Sequence, residues 1–300
     1  MMRRLLFVVS FFSMFLIGCV EEVDLNQNGD IPNKLVIHGY ITPDSQVTIQ
    51  VSKVVGVTDG YEQIADASLE VTNLQSQEKK KLLYRGNGFY AESMNIKWND
   101  SLSISILHEN NVIKHRIQIP SNVVIKKVDT FTSLISFVGK TRAYRIEFKD
   151  SAYIENYYRM YLIHNYLNYI FSENGSKIDS FYSNEKVPIS GSELPFLRNN
   201  FNTYSNKDLL FSDESFNGLN SRFVFYETLP NYQSIDKKLR SVTVVLENIH
   251  QDLFNYLNSR NAHIWQQSSI TQLPILVEGN IENGYGILSS YSKAQFIIKF

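Results

Sequence analysis

The sequence predicts a mainly β protein, built as two β-rich units in series with one amphipathic helix in the second. Three observations predict it. Apolar and polar residues alternate with a period of two in run after run, which places one side of a strand on a core. Turn-forming pairs punctuate those runs. Tyr and Phe, which suit pleated, half-buried surfaces, number 18 and 19 in 300 residues, against only 7 Pro.

Leu35 to Ile41 is a near-continuous apolar run. Val47, Ile49 and Val51 alternate with polar residues, as do Ala67, Leu69 and Val71, then Leu102, Ile104 and Ile106. Ile113, Ile117 and Ile119 share one face. Turn signals stand at Thr42-Pro43-Asp44, Asn87-Gly88 and Asn110-Asn111, and Pro120-Ser121 closes the stretch. Residues 33–121 are therefore expected to form an immunoglobulin-like antiparallel β-sandwich.

Residues 122–300 are expected to form a second β-rich domain. Tyr144, Ile146 and Phe148 alternate with charged residues, and Tyr157 to Phe171 is bulky on both faces. Asn174-Gly175 is a two-residue hairpin signal. Residues 183–221 are polar, contain Pro188 and Pro195, and read as an irregular excursion. Phe223 with Phe225 marks a further strand, and Val242, Val244 and Leu246 another. A helix is expected near 248–266, from the spacing of Ile249, Leu253, Phe254 and Leu257, with Asn248 and Gln251 as a capping pair. The turn-rich stretch 279–286 leads into a last strand pattern over 287–300.

The N-terminus carries a different signal. Arg3 and Arg4 precede an apolar run over residues 5–17, broken only by Ser10 and Ser13. A bilayer span needs about 20 apolar residues, so the run has the length of a secretory leader instead. It ends Leu16-Ile17-Gly18-Cys19, which resembles the bacterial lipobox. Residues 1–18 are thus expected to be a lipoprotein signal peptide, cut before Cys19, with the new terminal cysteine acylated. Several buried chains anchor durably, at about 0.8 kcal/mol per CH2. Cys19 is the single cysteine of the chain, so an internal disulfide, a cysteine-based zinc site and a catalytic thiol are excluded from the rest. Residues 19–32 then form the acylated cysteine and an acidic tether with Glu21, Glu22, Asp24 and Asp30 and no basic residue. The Glu21-Glu22 pair resembles the surface-export signal of Bacteroidota lipoproteins, which places the body on the outer membrane, facing the cell exterior.

The body is nearly neutral. Arg3 and Arg4 fall in the leader and four acids in the tether, so the 29 basic and 30 acidic residues of the chain become 27 and 26 in residues 33–300. Nucleic acid is not the expected partner, because phosphate binding needs a concentrated basic surface. No catalytic constellation is evident. The six histidines lack metal-ligand spacing, and there is no G-x-S-x-G or calcium-loop pattern. Asp213-Glu214 imitates a glycosidase pair without any indication of the separation such a pair requires. Asn283-Gly284-Tyr285-Gly286 reads as a turn needing positive φ at its glycines. Tyr157, Tyr161 and Trp265 are the candidates for an exposed binding surface. The expectation is a non-enzyme without cofactor or metal.

The acidic stretch after Cys19, LVIHGYIT (35–42), FKDSAYIENYYRMYL (148–162), FSDESFNG (211–218), VTVVLENIHQDLFNYLNS (242–259) and GNIENGYGIL (279–288) together resemble the DUF4249 family of Bacteroidota lipoproteins. The resemblance spans nearly the whole mature chain. It implies a surface-exposed accessory lipoprotein with an N-terminal β-sandwich, acting beside an outer-membrane β-barrel of the TonB-dependent transporter kind. It brings no catalytic residues. The alternatives are an autonomous glycan- or peptide-binding lipoprotein and an envelope assembly factor.

Overall fold

The computed structural model describes residues 34–43, 45–56, 60–135, 139–151, 154–191, 207–214, 216–228, 235–266 and 275–300. The leader, Leu16, Ile17, Gly18, Cys19, Glu21 and Glu22 lie outside the described residues.

The first half holds β1 (Leu35–Ile41), β2 (Val47–Gly56), β3 (Gly60–Gln63), β4 (Ser68–Asn73), β5 (Lys79–Gly86), β6 (Phe89–Glu92), β7 (Ser101–His108) and β8 (Asn111–Gln118). The second holds β9 (Val124–Ile135), β10 (Gly139–Lys149), β11 (Tyr157–Phe171), β12 (Lys177–Val187), β13 (Ile189–Gly191), β14 (Leu209–Ser212), β15 (Asn220–Glu227), β16 (Lys237–Ile249), α1 (Gln251–Gln266) and β17 (Tyr285–Lys299). The mainly β expectation with one helix is met. Among the described residues no helix is long and apolar enough to cross a membrane.

One large sheet runs β12-β11-β16-β17-β1-β2-β6-β5-β4-β7-β8, with β14 beside β11 and β3 beside β2. Its first-half strands enclose a core of Ile37, Ile49, Val51, Leu69, Leu102, Ile104, Ile106 and their neighbours. A second sheet, β13-β15-β10-β9, lies over the other half. Between them sits a second core with Tyr144, Phe148, Tyr158, Phe211 and Phe225. Phe148 is its hub, with ring centroids 5.2 Å from Tyr158, 5.6 Å from Phe223 and 6.0 Å from Phe216.

β17 belongs to both halves. Residues Tyr285 to Ser290 pair in parallel with Val36 to Ile41 of β1. Residues Tyr291 to Lys299 then pair antiparallel with Ile249 to Ser241 of β16. Leu288 and Ile281 accordingly fill the first core, although they lie far along the chain from its other members.

Several details differ from expectation. The helix begins at Gln251, and Asn248 is still in β16. His250 is the cap: its carbonyl accepts from the Phe254 N–H at 3.1 Å and its Nδ1 from the Asp252 N–H at 3.3 Å. The Asn174-Gly175 turn is wider than two residues. It is closed by Ser172 N–H to the Ser176 carbonyl at 2.8 Å, with Gly175 at φ 78°. The stretch 183–221 is not wholly irregular, since it holds the end of β12, β13 and the fully buried β14. In the 279–286 turn, only Asn283 and Gly286 take positive φ, at 57° and 100°. Gly284 is required for space, because a Cβ there would lie 2.7 Å from Ile281 Cγ2 and 3.0 Å from the Leu35 carbonyl.

Candidate functional site

Where β17 passes from β1 to β16, the chain leaving β8 crosses it. Ser290 Oγ donates to the Gln118 carbonyl and Ser292 Oγ to the Ser121 carbonyl, both at 2.6 Å. Both serines are fully buried, and only small side chains fit under so close a crossing. Asn248, on the core-facing side of β16, donates to the Ser121 carbonyl and Oγ at 3.2 Å and to Asn156 Oδ1 at 3.1 Å. Above this junction opens a cleft of about 230 Å3. Amide and hydroxyl groups from Asn99, Gln118, Ser121, Asn156 and Asn248 share its walls with apolar patches from Ile119, Ile154 and the edge of Tyr157.

Asn156 is the floor of the cleft and the roof of a buried acidic nest. Its Nδ2 lies 2.8 Å from the Ile154 carbonyl, 3.1 Å from the Ser151 carbonyl, 3.1 Å from Asp213 Oδ2 and 3.3 Å from Asp150 Oδ1. Its backbone N–H also donates to Asp213 Oδ2, at 3.0 Å. The Tyr158 hydroxyl donates a short bond to Asp150 Oδ1, and the Gly218 N–H donates to Asp150 Oδ2 at 2.6 Å. Asp150 and Asp213 are 1% and 0% exposed, and among the described residues neither makes an ion pair. Burial pushes the Asp213 carboxyl above the usual carboxylate range, only partly offset by its bonds from Asn156. Burial also raises the Tyr158 phenol, with Asp150 adding to the effect.

Two further polar clusters flank the second core. Glu227 Oε1 meets His164 Nε2 at 2.9 Å, the Tyr144 hydroxyl, and Arg142 Nη1 at 3.3 Å. Burial alone would lift the Glu227 carboxyl, but the His164 hydrogen bond and charge, with Tyr144 and Arg142, hold it below its usual value. On the other face of β11, Arg159 bridges Asp208 at 3.0 Å and Glu247 at 3.4 Å. Glu247 is raised by burial, with Arg159 opposing.

The sequence-predicted surface residues take different places. Tyr157 is 8% exposed, with its ring 4.8 Å from that of Phe254 and its edge on the cleft. Tyr161 donates to Glu247 Oε1 at 2.9 Å and lies under Lys186 at 4.0 Å. Trp265 is half-buried in the last turn of α1. Asp213 and Glu214 do not act as a pair, since Asp213 points into the nest and Glu214 is exposed. One group of exposed apolar side chains lies on the β11–β12 hairpin, where Phe171, Ile178, Phe181 and Tyr182 are 39%, 64%, 53% and 76% exposed.

Sequence reasoning missed the nest, because Asp150 and Asp213 lie on separate strand ends. One hint was present: Phe148-Lys149-Asp150 and Phe211-Ser212-Asp213 share a pattern. Period two puts each aspartate on the face of its core phenylalanine, just past the end of a strand.

Among the described residues, no group of three His, Cys, Asp or Glu side chains is placed to hold a metal. A search of curated proteins returns no match to the chain. One family profile, described as a domain of unknown function, matches residues 20–297, nearly all of the chain beyond Cys19. The sheet-rich body with its shared last strand is therefore that of a DUF4249 domain, and the chain belongs to the DUF4249 family.

Proposed function

We propose that this chain is a lipid-anchored outer-membrane protein of the Bacteroidota type, displayed at the cell exterior as a non-enzymatic accessory of a β-barrel of the TonB-dependent transporter kind. The observation that carries the reading is the single cysteine, Cys19, placed directly after Leu16-Ile17-Gly18 at the end of a short apolar run. Acyl chains on that sulfur hold the body at the membrane, and the acidic residues 20–32 give it about 45 Å of reach. The exposed apolar side chains of the hairpin support a protein partner, since exposed apolar surface marks interaction sites. Ile178 and Tyr182, four residues apart on β12, are the most exposed of them.

Mild-detergent extraction of membranes and capture of the tagged full chain should recover a barrel in near one-to-one yield. The paired substitutions Ile178→Asp and Tyr182→Asp should lower that recovery at least tenfold while leaving the unfolding midpoint unchanged, because both side chains are exposed. Recovery of the chain alone counts against the reading.

The cleft favours a second reading, an autonomous glycan- or peptide-binding lipoprotein. Its mixed walls of amide groups and apolar patches suit a ligand that offers donors and acceptors beside apolar surface. That reading expects micromolar binding by the body lacking Cys19, with no barrel present.

A further inference from the structure

We infer that the cleft above the crossing of β17 takes a short extended peptide, held by its main-chain amides and one aliphatic side chain, a claim that rests on the autonomous-binding reading of that cleft. Asn248 carries the argument. It is 2% exposed and lines the cleft. Its Nδ2 serves the Ser121 carbonyl, the Ser121 hydroxyl and Asn156 Oδ1, but among the described residues nothing donates to its Oδ1. A largely buried acceptor without a donor is costly, so a ligand that brings an N–H or O–H to it is favoured. Around it, the Asn99, Gln118 and Gln251 side chains are exposed and make no hydrogen bond among the described residues. Each carboxamide holds a donor and an acceptor side by side, the complement of what a peptide bond presents.

The walls discriminate between ligand classes. Among the described residues that line the cleft there is no Lys or Arg, so a phosphate or carboxylate group finds no counter-charge. A sugar ring needs an open aromatic face. Tyr157 is 8% exposed and packed against Phe254, with ring centroids 4.8 Å apart, so it offers none, and no described Phe or Trp lines the cleft. The apolar part is aliphatic instead. Ile119 and Ile249 are buried in its wall, and Ile154, 56% exposed, stands at its rim. That surface suits a side chain the size of Val or Leu. A volume of about 230 Å3 lies below the usual range of ligand sites, which limits the occupant to a short stretch of chain and excludes a folded partner from entering. Main-chain hydrogen bonds then supply the affinity, and the aliphatic rim selects the side chain.

The test incubates the full-length protein in detergent with a pool of N-acetylated, C-amidated tripeptides built from Ala, Val, Leu and Phe. Equilibrium dialysis with mass spectrometry reads which members are retained. The expected result is retention of members with a Val or Leu, at a Kd on the order of 0.1 mM. Hydrogen exchange should slow at residues 118–121, 154–157 and 248–251. Replacing the peptide N–H groups one at a time by ester oxygen should weaken binding about tenfold at one position, where Asn248 Oδ1 loses its donor. The pair Gln118→Ala and Ile154→Asp should lower retention at least tenfold with Tm unchanged, since both side chains are exposed, whereas Glu109→Gln, in another exposed turn, should keep it. Maltotriose and xylotriose are the comparison ligands. Three results overturn the inference while leaving a ligand-binding cleft: sugar retained in preference to the pool, every ester analogue binding as tightly as its amide, or retention undiminished in the folded double variant. Retention with protection confined to other segments places the site elsewhere and also overturns it. If neither class is retained, the autonomous-binding reading falls with it.

Discussion

Replacing Gly286 with Ala is expected to cost at least about 3 kcal/mol of unfolding free energy. Gly286 pairs with Ile37 in the parallel register between β17 and β1. A Cβ on it would lie 2.1 Å from the Ile37 carbonyl oxygen and 2.9 Å from its carbon. Both atoms are backbone, so no side chain can turn aside. The residue also sits at φ 100°, where L side chains are strained. Relief requires β17 to lift from β1, and this is the contact through which Leu288 reaches the first core. Gly175→Ala provides the scale: its φ is 78° but nothing lies within 4 Å of the added Cβ. It is expected to cost only about 1 kcal/mol, the bare conformational penalty. Urea unfolding of both variants measures the difference. Equal midpoints would show that the parallel pairing of the last strand does not hold the body together.

The second large effect is expected at Glu227. Its carboxylate accepts from His164, Tyr144 and Arg142, in a pocket where the Glu227 and His164 side chains are 5% and 6% exposed. Glu227→Gln keeps the shape but leaves Arg142 without its counter-charge. Breaking a buried pair costs about 3–5 kcal/mol. Arg142 is partly exposed, at 16%, which places the expectation near the lower end. The pH dependence has a definite sign. The folded-state carboxyl is held below its ordinary value of 4.5, so its contribution is present above that value. It is lost as pH falls through the folded-state value. The stability gap between wild type and Glu227→Gln should therefore be widest above the ordinary carboxylate value and narrow as pH falls through the lowered folded-state value. Asp213 and Glu247, both raised by burial, act in the opposite sense, losing stability as pH rises out of the carboxylate range. They are common to both proteins and cancel in the comparison. A gap unchanged by pH would contradict the charge assignment.

The two cores were unequally legible in the sequence. In the first, strands such as β7 bury one face completely, with Leu102, Ile104 and Ile106 all at 0% exposure, so alternation reports them directly. β14 is buried on both faces and only Leu209–Ser212 long, too short to show any period. β9 at the sheet edge exposes Val124 and Leu134 at 53% and 83%, which blurs its pattern. The parallel pairing of β17 with β1 joins opposite ends of the chain and leaves no local trace except the glycines that allow the approach. Asn248 has cap-forming chemistry, but its side chain is taken up by Ser121 and Asn156, so His250 caps instead. Segments that carried the family resemblance meet at these places. FKDSAYIEN, FSDESFNG and VTVVLENIHQ converge on the nest and cleft, while GNIENGYGIL lies against LVIHGYIT.

The anchor precedes all of this in the proposed function, because a body that is not tethered cannot serve a membrane barrel from the cell surface. Intact-mass spectrometry of the protein extracted from its native membrane measures the anchor directly. The account predicts a chain beginning at Cys19, heavier than its amino acids by a diacylglyceryl group and an N-terminal acyl chain. A free Cys19 thiol, or a water-soluble chain still carrying residues 1–18, would contradict it.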